Sequence, residues 1–124
     1  NQIELGLTHT APFINGQVAH AQTHRMPLMA WSPLGGGRLI SEVGQAGSAA
    51  ARLRTKLEAL ATESQVDITA VAIAWLMHHP VKVMPVMGSN QLNRIKLFSQ
   101  AIQVPMDRQT WFELYELANG HEVP

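Results

Sequence analysis

The segment Ile68 to His78 constrains this chain more than any other. Asp67 is a good N-cap, Pro80 is a stop, and the residues between read as a helix. That helix is apolar nearly all round: Val71, Ala72, Ile73, Ala74, Trp75 and Leu76 follow one another without a polar face. A helix of this kind must be covered on more than one side. It therefore belongs inside a larger layered structure, with neighbours that this chain is not expected to supply.

The elements along the chain alternate in type. Gln2 to Leu5 alternates polar and apolar side chains as a short strand does. A loop with Pro12 follows, and Asn15 is placed to cap a helix running to about His24, with Val18, Ala19 and Ala21 among its residues. Pro27 precedes a short apolar run, Leu28 to Trp31, read as a buried strand. The three consecutive glycines of SPLGGGRL cannot sit in a regular element, and the loop they open continues to about Ser48. From Ala49 to near Ser64, Leu53, Leu57 and Leu60 recur at helical spacing on one face. Val81 to Met87 is expected to be a third strand interrupted by Pro85, and Gly88-Ser89-Asn90 a turn and cap before a helix to about Gln100. Asp107 caps a last helix that Gly120 ends.

Strands alternating with helices imply an α/β fold of parallel strands joined by crossover helices. About three strands are too few, because a parallel sheet is buried on both faces and its edges need cover. Part of a larger sheet or barrel is expected. The start at Asn1, followed at once by a strand, raises the same expectation of a chain cut from something longer.

The composition narrows the function classes. The 124 residues suffice for one ordinary domain, and 46% hydrophobic with 15% charged residues is a globular mix. Nine basic side chains balance nine acidic ones, so no net field draws in nucleic acid or an anionic membrane surface. Cysteine is absent, which excludes disulfides, thiolate metal sites and a cysteine nucleophile, and fits a reducing cytoplasm. No apolar run approaches the roughly 18–20 residues of a membrane span, and the first residues do not have the order of a signal peptide.

Two segments carry candidate chemistry. In MAWSPLGGG, Met29 to Gly37, a strand ends at Trp31 and a glycine-rich loop follows. Backbone N–H groups in such a loop approach a phosphate closely, Ser32 adds a hydroxyl, and Trp31 offers a flat surface to a ring. A flexible surface loop is the other reading. In MGSNQLNRI, Met87 to Ile95, a helix begins soon after Gly88 and Ser89, and its N-terminus suits an anion that Arg94 reaches from one turn inside. An ordinary capped helix with a solvated arginine is the alternative. Two anion-friendly loops after parallel strands are more telling together, because barrels bind ligands on the face where their strands end.

NQIEL, MAWSPLGGGRL, DITAVAIAWLM and MPVMGSNQLNRI, taken in order, resemble the second part of an aldo-keto reductase, and VPMDRQTWFELYELANGHEVP is similar to the bacterial YdhF-type oxidoreductases of that family. The resemblance runs over essentially the whole chain. It implies that residues 1–124 are the C-terminal part of a (β/α)₈ TIM barrel, incomplete as a barrel, from an NADP(H)-dependent reductase of small aldehydes or ketones. Gln2 matches the glutamine that binds the nicotinamide carboxamide, and Trp31 the aromatic, often tyrosine, that stacks on the nicotinamide. Ser32, Leu34, Gly35 and Gly36 match the loop around the pyrophosphate. Ser89, Asn90 and Arg94 match the segment that holds the adenosine 2′-phosphate. Many relatives have lysine where this chain has Gly88, and polar adenine contacts where it has Leu97 and Phe98. The family's catalytic Asp, Tyr, Lys and His have no match here, so no catalytic residue is expected in this chain. A non-catalytic NADP(H)-binding or regulatory module, or an inactive truncated fragment, is the other reading.

His20 and His24, four apart on one helix face, are a candidate metal pair. Ala21 stands where the metalloprotease helix has its glutamate, and a solvated helix face is the plainer expectation, so no metal site is assigned.

Overall fold

The computed structural model describes residues 2–35, 39, 47–86 and 92–120, without the side chains of Asn93, Arg94 and Leu97. Strands β1 (Gln2–Glu4), β2 (Leu28–Trp31) and β3 (Val83–Pro85) form one parallel sheet in the order β1-β2-β3. Helix α1 (Gln17–Thr23) joins β1 to β2, α2 (Ala49–Ser64) and α3 (Ile68–Met77) lie between β2 and β3, and α4 (Leu92–Ser99) and α5 (Arg108–Asn119) follow β3. The expected α/β order of parallel strands with crossover helices is the order found.

Local chemistry sets the helix ends. Asp67 Oδ1 accepts from Thr69 N–H at 2.9 Å, Asp107 Oδ1 from Thr110 N–H at 2.7 Å, and Ser48 Oγ from Ala51 N–H at 3.2 Å. Each satisfies one of the free donors of a first turn. α5 closes at Gly120, whose N–H donates to Glu116 O at 2.8 Å. Several boundaries differ from the sequence expectation: β1 ends at Glu4 instead of Leu5, and α3 at Met77 instead of His78. The N-cap of α1 is Gly16, while Asn15 Oδ1 accepts from Gln17 N–H at 3.1 Å, one residue before the cap. β3 is shorter than Val81 to Met87, and Pro85 lies within it. Lys82 O and Val86 N–H bond to β2, so Pro85, of opposite parity, points its nitrogen away from that strand, where a missing N–H costs no ladder bond. Short 3₁₀ turns at Ala11–Phe13 and Gln100–Gln103 have no counterpart in the periodicity.

The apolar helix is enclosed by this chain itself, contrary to the expectation that its cover lay outside, because the helices before and after it in sequence and the Gln100–Gln103 turn fold back onto it. Thr69 through Leu76 are all buried, against α2, α4, β3 and the Gln100–Gln103 turn. Trp75 is fully buried and stacks on Trp111 of α5, with ring centroids 4.7 Å apart and planes at 10°. The two indoles exchange hydrogen bonds with each other's backbone: Trp75 Nε1–H donates to Trp111 O at 3.0 Å, and Trp111 Nε1–H to Trp75 O at 2.8 Å. Phe13 meets both rings edge-on at 5.6 Å, which ties the turn after β1 into the same cluster.

The sheet itself is covered on one side. Leu28, Ala30 and Val83 are buried on the face turned to the core. Residues of opposite parity point the other way, and there Trp31 is 44% and Met84 58% exposed. This open face carries the candidate residues.

Candidate functional site

Residues paired in a parallel ladder share a face, so register places side chains on the open surface. Gln2 pairs with Met29, Glu4 with Trp31, and Met29 with Met84. Gln2, Glu4, Met29, Trp31 and Met84 therefore stand on one surface, with exposed Gln2 two residues below the Glu4–Trp31 pair. The indole offers a broad apolar plate and the glutamine an amide that both donates and accepts.

At the carboxyl end of β2 the chain turns sharply. Ser32 has φ +47°, a left-handed conformation that costs a non-glycine residue on the order of 1–3 kcal/mol and that clusters at functional sites. Gly35 N–H donates to Ser32 O at 2.9 Å and closes the turn Ser32-Pro33-Leu34-Gly35. Gly35 has φ +62°, and a Cβ built there would collide with Thr8 Oγ1. Glycine is thus required twice over: for its conformation and for the close approach to the loop after β1. Leu34 is half-buried against the core and anchors the turn from below. The result is a rim at the upper edge of the open face.

The third strand ends beside this rim. Val86 N–H donates to Ala30 O at 2.9 Å, so the chain leaves β3 next to the end of β2. Among the sequence candidates, Gln2 and Trp31 share the open face and Ser32, Leu34 and Gly35 form its rim. Gly36, Ser89 and Asn90 lie outside the described residues, as do the expected turn at Gly88 and most of the loop to Ser48. Arg94 lies in α4, and its side chain is outside the described set. Phe98, at an expected adenine-contact position, packs against the core.

Sequence reasoning did not single out Glu4 or Thr8. Glu4 stands beside Trp31 in register, its carboxylate 4.0 Å from His9 Nδ1. The alternation of QIEL carried that signal, since the period that exposes Gln2 also exposes Glu4. Thr8 emerges only from the fold, through its contact with Gly35.

A cavity of about 280 Å³ opens at this same end of the sheet, lined by Leu7, Thr8, Leu39, Leu53 and Leu117 among others. Two others, of about 400 and 370 Å³, border the segments that precede the strands: one on His79, Trp111 and Phe112, the other on Pro27 and Lys82. In the first of these, burial pushes the His79 pKa below its ordinary value, and Nδ1 accepts from Val81 N–H at 3.1 Å, which requires a bare nitrogen. His79 is a neutral, structural imidazole at the end remote from the Trp31 rim. Among the described residues no group of three or more His, Cys, Asp or Glu gathers as a metal would need, and no helix is long and apolar enough to cross a membrane.

An aromatic plate and a strained turn at the carboxyl end of β2, with an amide two residues below on the same face, suit a flat heterocycle with a polar substituent and a phosphate tail. Known proteins resemble this chain in sequence and in fold. The sequence profile of the aldo/keto reductase family matches residues 13–119. A 6-dehydroglucose reductase of Agrobacterium fabrum is 53% identical over 99% of this chain and 39% of its own length. Oxidoreductase YdhF of Escherichia coli is 33% identical over the whole chain and 40% of its own length. Among solved structures, an aldo/keto reductase from Klebsiella pneumoniae in complex with NADP and acetate superposes with a TM-score of 0.75 at 17% identity, over 95% of this chain and 38% of that one. A thermostable aldo-keto reductase bound to epalrestat gives 0.74 at 21% identity, over 94% and 38%. The chain spans between 36% and 41% of the length of the curated relatives it matches.

Proposed function

The chain belongs to the aldo/keto reductase family, and on that premise we propose that residues 1–124 are the C-terminal, cofactor-binding part of an NADP(H)-dependent reductase of small carbonyl compounds. The shared open face of Gln2 and Trp31 carries this reading. The residues present fit the cofactor: a half-exposed indole, an exposed amide on the same face, and a rim turn built around a left-handed serine. A bound nicotinamide supplies the hydride that passes to the carbonyl carbon.

The roles of the chain's own residues follow from their chemistry. Trp31 supports one face of a planar ring and leaves the other free to meet substrate. Gln2 holds an amide substituent and so fixes which way that ring is turned. The Ser32–Gly35 rim lies where a pyrophosphate would leave the face. Arg94 supplies the charge for a 2′-phosphate. Reduction also needs a proton for the forming alkoxide, which this reading assigns to residues outside the chain. The 53% identity to a 6-dehydroglucose reductase supports a dehydro-sugar as the carbonyl substrate.

Titration of the full-length protein with NADPH and NADH tests the assignment. Trp31→Ala weakens both cofactors by about tenfold, the loss of one stacking contact worth about 1.4 kcal/mol. Arg94→Ala weakens NADPH and leaves NADH within about twofold, because only the phosphate meets the guanidinium. Unchanged affinity in Trp31→Ala, or equal loss of both cofactors in Arg94→Ala, overturns the corresponding role. The 124-residue chain alone is expected to bind NADPH more weakly than micromolar, since it forms one wall of the site.

A further inference from the structure

α1 turns Val18 and Ala21 into the core, which leaves His20 and His24 on its solvent side, both exposed. Positions four apart on a helix are neighbours, and the two imidazoles lie with centroids 4.2 Å apart and planes at 36°. His24 Nδ1 is 2.9 Å from His20 O. A carbonyl oxygen can only accept, so Nδ1 carries the proton in this contact and Nε2 is the bare nitrogen. Metal-binding imidazoles are oriented in this way: one ring nitrogen donates to a backbone carbonyl, which fixes the tautomer and turns the other toward the ion. The His20 ring makes no hydrogen bond among the described residues, so its nitrogens are uncommitted there.

We propose that His20 and His24 form a two-imidazole surface site for a borderline divalent transition metal, with water completing the coordination. Both rings are exposed and so free to turn, and bare nitrogens on neighbouring positions of one helix face can meet a single ion. Imidazole selects copper, nickel and zinc, and affinity rises to a maximum at Cu²⁺. The pair offers no carboxylate, so Mg²⁺ and Ca²⁺, which take oxygen ligands, are not bound. With two protein ligands the site exchanges its ion and leaves positions open, unlike a closed four-ligand structural site. It sits on the solvent side of the crossover helix and is independent of the Trp31 face.

Titration of the full-length protein with Cu²⁺, Ni²⁺, Zn²⁺ and Mg²⁺ near neutral pH, followed by calorimetry and by Cu²⁺ electron paramagnetic resonance, provides the test. The expected result is saturable one-to-one Cu²⁺ binding with two nitrogen ligands, weaker binding of Ni²⁺ and Zn²⁺, and none of Mg²⁺. His20→Ala and His24→Ala each weaken Cu²⁺ by at least about tenfold, because the second ligand binds intramolecularly only when the first is held. Both positions are exposed, and an unchanged far-ultraviolet circular dichroism spectrum shows that the variants fold. Unchanged Cu²⁺ affinity in either variant, or a two-nitrogen signal that survives His20→Ala, overturns the proposal by locating the ion elsewhere, such as His9.

Discussion

Replacing the paired tryptophans singly and together isolates the contact that locks α3 to α5. Trp75→Phe removes an indole N–H that donates to Trp111 O at 3.0 Å, and with it two ring carbons from a fully buried position. One net hydrogen bond is worth about 1 kcal/mol, and two buried carbons at about 0.8 kcal/mol each add about 1.6. The expected loss is about 2.5 kcal/mol. Trp111→Phe removes the reciprocal bond at 2.8 Å, but Trp111 is only partly buried, so its area contribution is roughly halved and the loss is about 2 kcal/mol. Each hydrogen bond ends on the partner's backbone and survives the partner's substitution. What couples the two side chains is therefore the stack at 4.7 Å, worth about 0.5–1.5 kcal/mol. Urea unfolding of the full-length protein and the three variants, followed by far-ultraviolet circular dichroism, measures all four corners of the cycle. Additivity to within about 0.3 kcal/mol, or a larger loss for Trp111→Phe than for Trp75→Phe, refutes this apportionment.

Two further perturbations probe the rim and the remote cluster. Gly16 and Gly35 both have positive φ, but a Cβ meets nothing within 4 Å at Gly16 and collides with Thr8 at Gly35. Gly16→Ala should cost about 1–2 kcal/mol from conformation alone and Gly35→Ala clearly more, as read from urea midpoints; equal costs would show that the Thr8 contact yields freely. His79 is pushed below its ordinary value of 6.5 by burial. The unfolded chain then binds more protons than the folded one just below pH 6.5, so His79's contribution is complete above that pH and is lost as pH falls through the depressed folded value. His79→Gln should flatten the stability profile below pH 6.5; an unchanged slope would place the proton uptake elsewhere.

Much of this architecture was legible because it is written locally. Caps act on donors two or three residues ahead, so Asp67 and Asp107 announced α3 and α5, and Gly120 announced the end of α5. The run from Leu28 to Trp31 became β2 with the expected bounds because its length and flanking prolines were themselves the signal. Pro85 blurred β3, since whether proline fits a strand depends on which side faces a neighbour, and that is decided by sheet order.

The candidate site divides in the same way. Sequence determined that a strand ends at Trp31, that a glycine-rich turn follows, and that an all-apolar helix must be enclosed. All three follow from side-chain chemistry and periods of two or 3.6 residues along the chain. Only the tertiary structure decided that Gln2 and Glu4 share a face with Trp31, that Gly35 is glycine because Thr8 lies against it, and that Trp75 and Trp111 clasp each other across 36 positions. Those facts depend on register and on contacts between distant segments, which no local pattern encodes, because burying a side chain requires a surface but does not specify which one.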